Sequence, residues 1–180
     1  MHRAQPVLTS TGMDESHRAR LLERRRLAQK RNERQQYSAT FRAVSPGLRA
    51  EDLRFARLPP VANQRLLEPF ASTPGKDEEF VFDGIPAATT HAWLSFDQRD
   101  ILCRTALIGL APADRAVAVI WHPYTSGLRI RVTDLTSQIT PVLDAGNGGA
   151  IWIVPVAGEG WLIQIGFWSR TVSWVPGVPI

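Results

Sequence analysis

The sequence downstream of residue 79 holds few groups able to do covalent or acid–base chemistry: His91, His122, Cys103 and some acids set among turn residues. Ser126, His122 and Asp134 supply the residue types of a nucleophilic triad, but no nucleophile-elbow sequence surrounds the serine, and chance would supply as much. His122, within Trp121-His122-Pro123, stands at the end of an expected strand before a proline, where a structural role outweighs a catalytic one. Cys103 is the only cysteine. It therefore rules out an intramolecular disulfide and a zinc site of Cys-pair spacing. Within Ile-Leu-Cys-Arg it reads as a small buried hydrophobe in mid-strand, with Arg104 on the opposite face. Asp97, Asp100, Asp114, Asp134 and Asp144 sit beside turn residues and are explained by turn chemistry. The glycine-rich DAGNGG at 144–149 precedes a strand rather than a helix, so it reads as a hairpin loop and not as a phosphate cradle. The expectation is a protein that is not an enzyme, with no catalytic residues, no metal and no cofactor.

Binding chemistry is better represented. Arg24, Arg25, Arg26, Lys30, Arg31 and Arg34 crowd one short segment, and Phe55 and Trp168 are the apolar groups singled out as partner anchors. Residues 1–65 carry 14 Lys+Arg against 6 Asp+Glu, a net +8, whereas residues 66–180 carry 7 against 11, a net −4. The formal +4 of the whole chain thus hides two segments of opposite sign. A basic segment of this kind suits an anionic surface, whether nucleic acid, anionic lipid or an acidic protein, and the alternative is a solvated charged helix.

These groups need elements to position them. DESHRARLLERRRLAQKRNERQQY lacks Gly and Pro and is rich in good helix formers, which predicts a helix over about 14–37 with acids near its start and cations toward its end. Its apolar set, Ala19, Leu21, Leu22, Leu27 and Ala28, is too thin a stripe to bury the helix against a core. Ser45-Pro46-Gly47 marks a break, a short helix is expected at about 48–57, and residues 59–78 read as an extended linker. Leu48, Phe55 and Leu58 would anchor this arm to a neighbour.

From Glu79 the pattern changes to short runs rich in Val, Ile, Trp and Thr separated by Gly, Pro, Asn and Asp. EFVFD, HAWLSF, ILCRTALIGL, AVAVIWH, LRIRVTDL, QITPVLD, AIWIVPV, WLIQIGFW and TVSWV are the expected strands. The expected architecture is a basic arm, 1–78, followed by an all-β domain, 79–180, folded as an Ig-like β-sandwich of about seven to nine short strands. All six tryptophans fall in that domain. Core packing accounts for about four of them, which leaves an exposed aromatic patch suited to protein contact, with Trp168 as its expected member.

The runs LIGLAPADRAVAVIWHP, GLRIRVTDLT and AIWIVPVAGEGWLIQIGF resemble successive blocks of an uncharacterised bacterial β-sandwich family, prominent in cyanobacteria and elsewhere sometimes fused to a Rho N-terminal-like domain. The matching positions are Leu110, Pro112, Asp114 and Trp121; Leu128, Arg129 and Asp134; Trp152; and Ile165, Gly166 and Phe167. His122 stands where the family has an acid, Val132-Thr133-Asp134 replaces a tyrosine block, and the last segment is shorter. The resemblance spans about residues 100–175, implies an Ig-like sandwich and brings no catalytic residues.

Two functions are expected from these readings. One is a structural linker that docks acidic subunits of a large assembly. The cyanobacterial flavour of the resemblance and a sequence pI near 10.0 make the phycobilisome light-harvesting antenna its concrete form. The other is a nucleic-acid-binding protein, viral coat proteins included, whose arginine-rich arm neutralises phosphates. No run of about 18 uncharged apolar residues occurs. The expected location is cytoplasmic, with peripheral contact at the cytoplasmic face of a photosynthetic membrane in the linker reading.

Overall fold

The computed structural model describes residues 11–70, 75–76, 79–82, 85–123, 125–146, 149–157 and 160–178; at 11–16, 30, 33–34, 36–38, 75–76 and 178 only the backbone is described. Two compact units emerge, Met1–Gln35 and Gln36–Ile180. Their boundary falls inside one helix, α1 (Thr11–Ala50), which is longer than the sequence predicts. In the first unit Leu21, Leu22 and Leu27 are all exposed, as a thin apolar stripe requires. In the second unit the helix runs through Ser45-Pro46-Gly47 instead of breaking there. Val44 and Leu48 are buried on either side of Pro46, so core packing offsets the hydrogen bond that proline removes.

The helix stops two residues before a left-handed Asp52 (φ 53°). Leu53 N–H reaches Leu48 C=O at 3.3 Å and Asp52 N–H reaches Arg49 C=O at 3.2 Å, the paired bonds of a Schellman cap. Leu48 and Leu53 both join the core, which completes the motif. The short helix expected at 48–57 is therefore absent. RFARL continues as strand β1 (Phe55–Leu58), which lies on the edge of the main sheet. Nor is the first part of the expected linker extended: α2 (Pro60–Leu67) opens with proline in its first turn, where no N–H is needed, and passes into a 3-10 turn at Glu68–Phe70, while 71–74 and 77–78 of that linker lie outside the described residues.

The remaining strands are β2 (Gly75–Lys76), β3 (Glu79–Phe80), β4 (Thr89–Ala92), β5 (Ala116–Ile120), β6 (Gly127–Arg131), β7 (Ala150–Pro155), β8 (Gly160–Gly166) and β9 (Thr171–Val178). Together with β1, six of them form one antiparallel sheet in the order β1-β6-β5-β7-β8-β9-β4, and among the described residues β2 pairs with β3 alone. The β-rich expectation holds, but the two facing sheets of an Ig-like sandwich do not form among the described residues. Helices take the place of the second sheet. ILCRTALIGL lies in α3 (Phe96–Leu110), VTDL turns into α4 (Val132–Ser137), and ITPVLD is α5 (Ile139–Asp144). Ser95 Oγ accepts the Gln98 N–H at 3.2 Å while Gln98 Oε1 accepts the Leu94 N–H at 2.9 Å. This variant of the capping box, whose return bond reaches the residue before the cap, fixes the start of α3. DAGNGG starts on the last residue of α5 and leads to β7, so it joins a helix to a strand rather than two strands of a hairpin.

Strand alternation divides the sheet into two faces. Val117, Val119, Leu128, Ile130, Ile151, Ile153, Ile163 and Ile165 pack under α3, α4, α5 and the end of α1. On the opposite face Ala118, Ile120, Trp152, Val154 and Leu162 are covered by Leu58, Leu67, Phe70 and Phe82. Trp93, Trp121, Trp152 and Trp161 are buried, Trp174 is half-buried, and Trp168 is 69% exposed.

Candidate functional site

The second face changes character across the sheet. Its covered middle is apolar. Toward the β1 edge the cross-strand row from Val154 through Ala118 reaches Arg129 and then Ala56. One step along, Arg131 faces Ala116. A cleft of about 520 Å³ opens there, lined among others by Arg54, Phe55, Ala56, Ala116, Arg129 and Arg131, with Asp114 its one carboxylate. Alanine opposite each strand arginine leaves the guanidinium stems free of bulky neighbours.

Arg129 and Arg131 alternate onto the same side, about 6.7 Å apart along the strand. That is close to the distance between successive phosphates of a nucleic-acid strand. Their mutual repulsion is only roughly 0.6 kcal/mol at a water-like dielectric, so the pair persists without a counter-charge. Among the described residues neither of them, nor Arg54, has an ion pair. A guanidinium fork binds phosphate or carboxylate bidentately, so an extended anion is the natural occupant.

Of the residues expected to bind partners, Arg24, Arg25, Arg26 and Arg31 are exposed on α1, while the side chains of Lys30 and Arg34 lie outside the described ones. Helical spacing puts Arg20, Arg24 and Arg31 on one face, Arg18 and Arg25 on a second and Arg26 on a third. Phe55 is half-buried, packs on Phe41 at 6.3 Å between ring centroids, and lines the arginine cleft. The arginines of the cleft were missed by sequence reasoning. Alternation along Leu128–Val132 places Arg129 and Arg131 on one side of a strand, but only the pairing of β1 with β6 adds Arg54.

The potential catalytic groups are engaged otherwise. Ser126 Oγ accepts a hydrogen bond from Arg57 Nε at 2.7 Å, and Asp134 Oδ2 is buried with no hydrogen-bond partner. His122 is buried, whereas His91 is exposed and stacks on Trp174 at 5.1 Å. Asp100 is not a turn residue: it lies in α3 and pairs with the buried Arg99. Cys103 is buried in that helix, not in a strand.

Burial, reinforced by Asp100 and opposed by Arg99 and Arg104, pushes the Cys103 thiol up to about 12. A thiol-reactive chromogen at neutral pH should therefore label Cys103 only as fast as the domain opens, and labelling of the native protein within seconds would contradict this. The sign of the pH effect follows. The unfolded thiol ionises near its ordinary 9.0 and the folded one does not, so the stability contributed by burial is complete below 9.0 and is lost as pH rises toward 12.

No protein-family model matches this chain, and no curated protein does. Its function must be read from its own surface. Among the described residues no group of three or more His, Cys, Asp or Glu comes together to hold a metal ion, and no helix is long and apolar enough to cross a membrane.

Proposed function

We propose that the protein is a non-enzymatic nucleic-acid-binding protein that seats a phosphate backbone in the Arg54/Arg129/Arg131 cleft. The observation that carries this reading is that three arginines without ion pairs among the described residues, together with Ala56 and Ala116, line one cleft. The arginines of α1 supply a second, longer-range attraction. Because they surround the helix, they suit a polyanion met from several directions rather than one flat acidic patch. Backbone contacts of this kind give affinity with little sequence preference.

A linker function toward acidic subunits, the phycobilisome among them, is the second reading. The exposed Leu94, Phe96, Ile101 and Ile108 on and beside α3 favour it, because they would suit a protein partner. Fluorescence anisotropy of mixed-sequence single- and double-stranded oligonucleotides, set against polyglutamate as competitor, separates the two. The expected result is binding whose log K falls linearly with log salt, with a slope of roughly −2 or steeper, and weak competition by polyglutamate. Salt-independent binding, or equal competition by polyglutamate, would overturn the nucleic-acid reading.

A further inference from the structure

The same sheet face ends differently at its other edge. The cross-strand row from Ile120 through Trp152 and Gln164 reaches Ser173 and then Thr90, so it turns from apolar to polar as it crosses toward β4. Here a second cleft, of about 340 Å³, opens between β3, β8, β9 and β4. Its lining includes Glu79, Thr90, Trp168, Ser169, Thr171 and Ser173.

Each of these groups is held in place. Glu79 is buried, and its Oε1 accepts the Trp168 N–H at 3.0 Å. Its Oε2 lies against Gly166, where an added Cβ would come within 2.6 Å. Glycine at 166 therefore makes room for the carboxylate. Among the described residues no cation pairs with it. Thr90 Oγ1 and Ser173 Oγ are 3.0 Å apart, and Ser169 Oγ and Thr171 Oγ1 are 2.7 Å apart. A hydroxyl pair shares one hydrogen and keeps a second donor and several lone pairs for a ligand. Gln164 is spent on the backbone of Phe80 and on Trp152 Nε1, so it shapes the cleft without being available to it. Trp168 borders the cleft with most of its ring exposed, and its backbone is pinned by Glu79.

We infer that this cleft binds a neutral polyhydroxylated ligand, a sugar ring of a mono- or disaccharide. An exposed indole offers a flat apolar face to the C–H side of a pyranose. The paired hydroxyls match vicinal diols, which donate and accept in turn, and the carboxylate keeps lone pairs beyond the one that Trp168 N–H uses to accept from a ligand hydroxyl. An anionic ligand would meet Glu79 and is excluded. The volume stands at the small end of the roughly 300–1,000 Å³ usual for ligand sites, room for about one or two rings. The site is separated from the arginine cleft by the covered middle of the sheet and does not depend on it.

Ligand-observed saturation-transfer NMR and calorimetry on the full chain test the assignment with a panel of methyl hexopyranosides, N-acetylglucosamine, cellobiose and maltose. At least one sugar is expected to bind with Kd on the order of 1 mM, as suits a shallow polar site. Trp168→Ala should weaken it about tenfold or more, and Thr90→Val, on the exposed edge strand, about threefold. Because Glu79→Gln disturbs the turn as well as the ligand, Thr90→Val serves as the second probe. No binding by any sugar at about 10 mM, affinity unchanged by Trp168→Ala, or preference for a simple amine over every sugar would each overturn the inference.

Discussion

Replacing Arg99 by methionine is expected to cost about 3–5 kcal/mol of stability, read as a lower urea midpoint with unchanged slope. Arg99 is fully buried, and its guanidinium lies over the rings of Phe96 at 4.9 Å and Phe167 at 5.7 Å. Its Nε donates to Asp100 Oδ1 and its Nη2 to Asp144 Oδ1, both at 2.8 Å. Removing it strands Asp100, which is buried and whose other oxygen is already taken by Thr140 Oγ1 at 2.6 Å. Asp144 suffers less, because over half of its side chain already meets water. Most of the loss therefore comes from one uncompensated carboxylate. Arg99→Met combined with Asp100→Leu should recover a good part of it, since removing both partners leaves no orphaned charge. A loss below about 1 kcal/mol in the single variant would mean that the pair contributes little to holding α3 against α5.

Changing Arg54, Arg129 and Arg131 together to glutamine should weaken oligonucleotide binding roughly a hundredfold at ~0.1 M salt and very little near 1 M. Three phosphate contacts account for a salt slope of about 2 to 3, so the variant's log–log plot should flatten by that amount. The three side chains have no ion pairs among the described residues, so folding should be nearly unaffected. The matching replacement of Arg24, Arg25 and Arg26 should chiefly slow association, because charges around a helix steer more than they hold. If the cleft variant binds as tightly as the natural protein at low salt, the phosphates are held elsewhere.

Some of this was legible in the sequence for physical reasons. The charge asymmetry, the α1 helix and the number of buried tryptophans follow from composition and periodicity, which are local. The sequence hides α3, although Ser95-Phe96-Asp97-Gln98 carries the Ser-x-x-Gln signal of a helix start, because ILCRTALIGL is apolar enough to pass for a buried strand. Once that segment becomes a helix, one face of the sheet is covered and the sandwich loses its reason. RFARL failed in the reverse direction: its residues tolerate a helix, but the Schellman cap at Asp52 ends α1 and hands Phe55 to the sheet. Both clefts lay beyond sequence reasoning. Each combines residues far apart in the chain whose meeting is fixed only by strand register, Arg54 with Arg131 in one and Glu79 with Ser173 in the other.

The strand order also sets a timetable for synthesis. The five central strands all come from Ala116–Val178, whereas the two outermost, β1 and β4, come from the N-terminal side and pair with β6 and β9. At roughly 5–20 residues per second, β1 leaves the ribosome several seconds before its partner exists. During that wait an apolar strand would be a template for its neighbours on a polysome. Phe55-Ala56-Arg57-Leu58 is a poor one, with Arg54 before it, Arg57 within it and Pro59-Pro60 after it. The arginine that lines the cleft at this edge in the finished protein thus first serves, with these neighbours, to keep a nascent edge from pairing with the wrong chain.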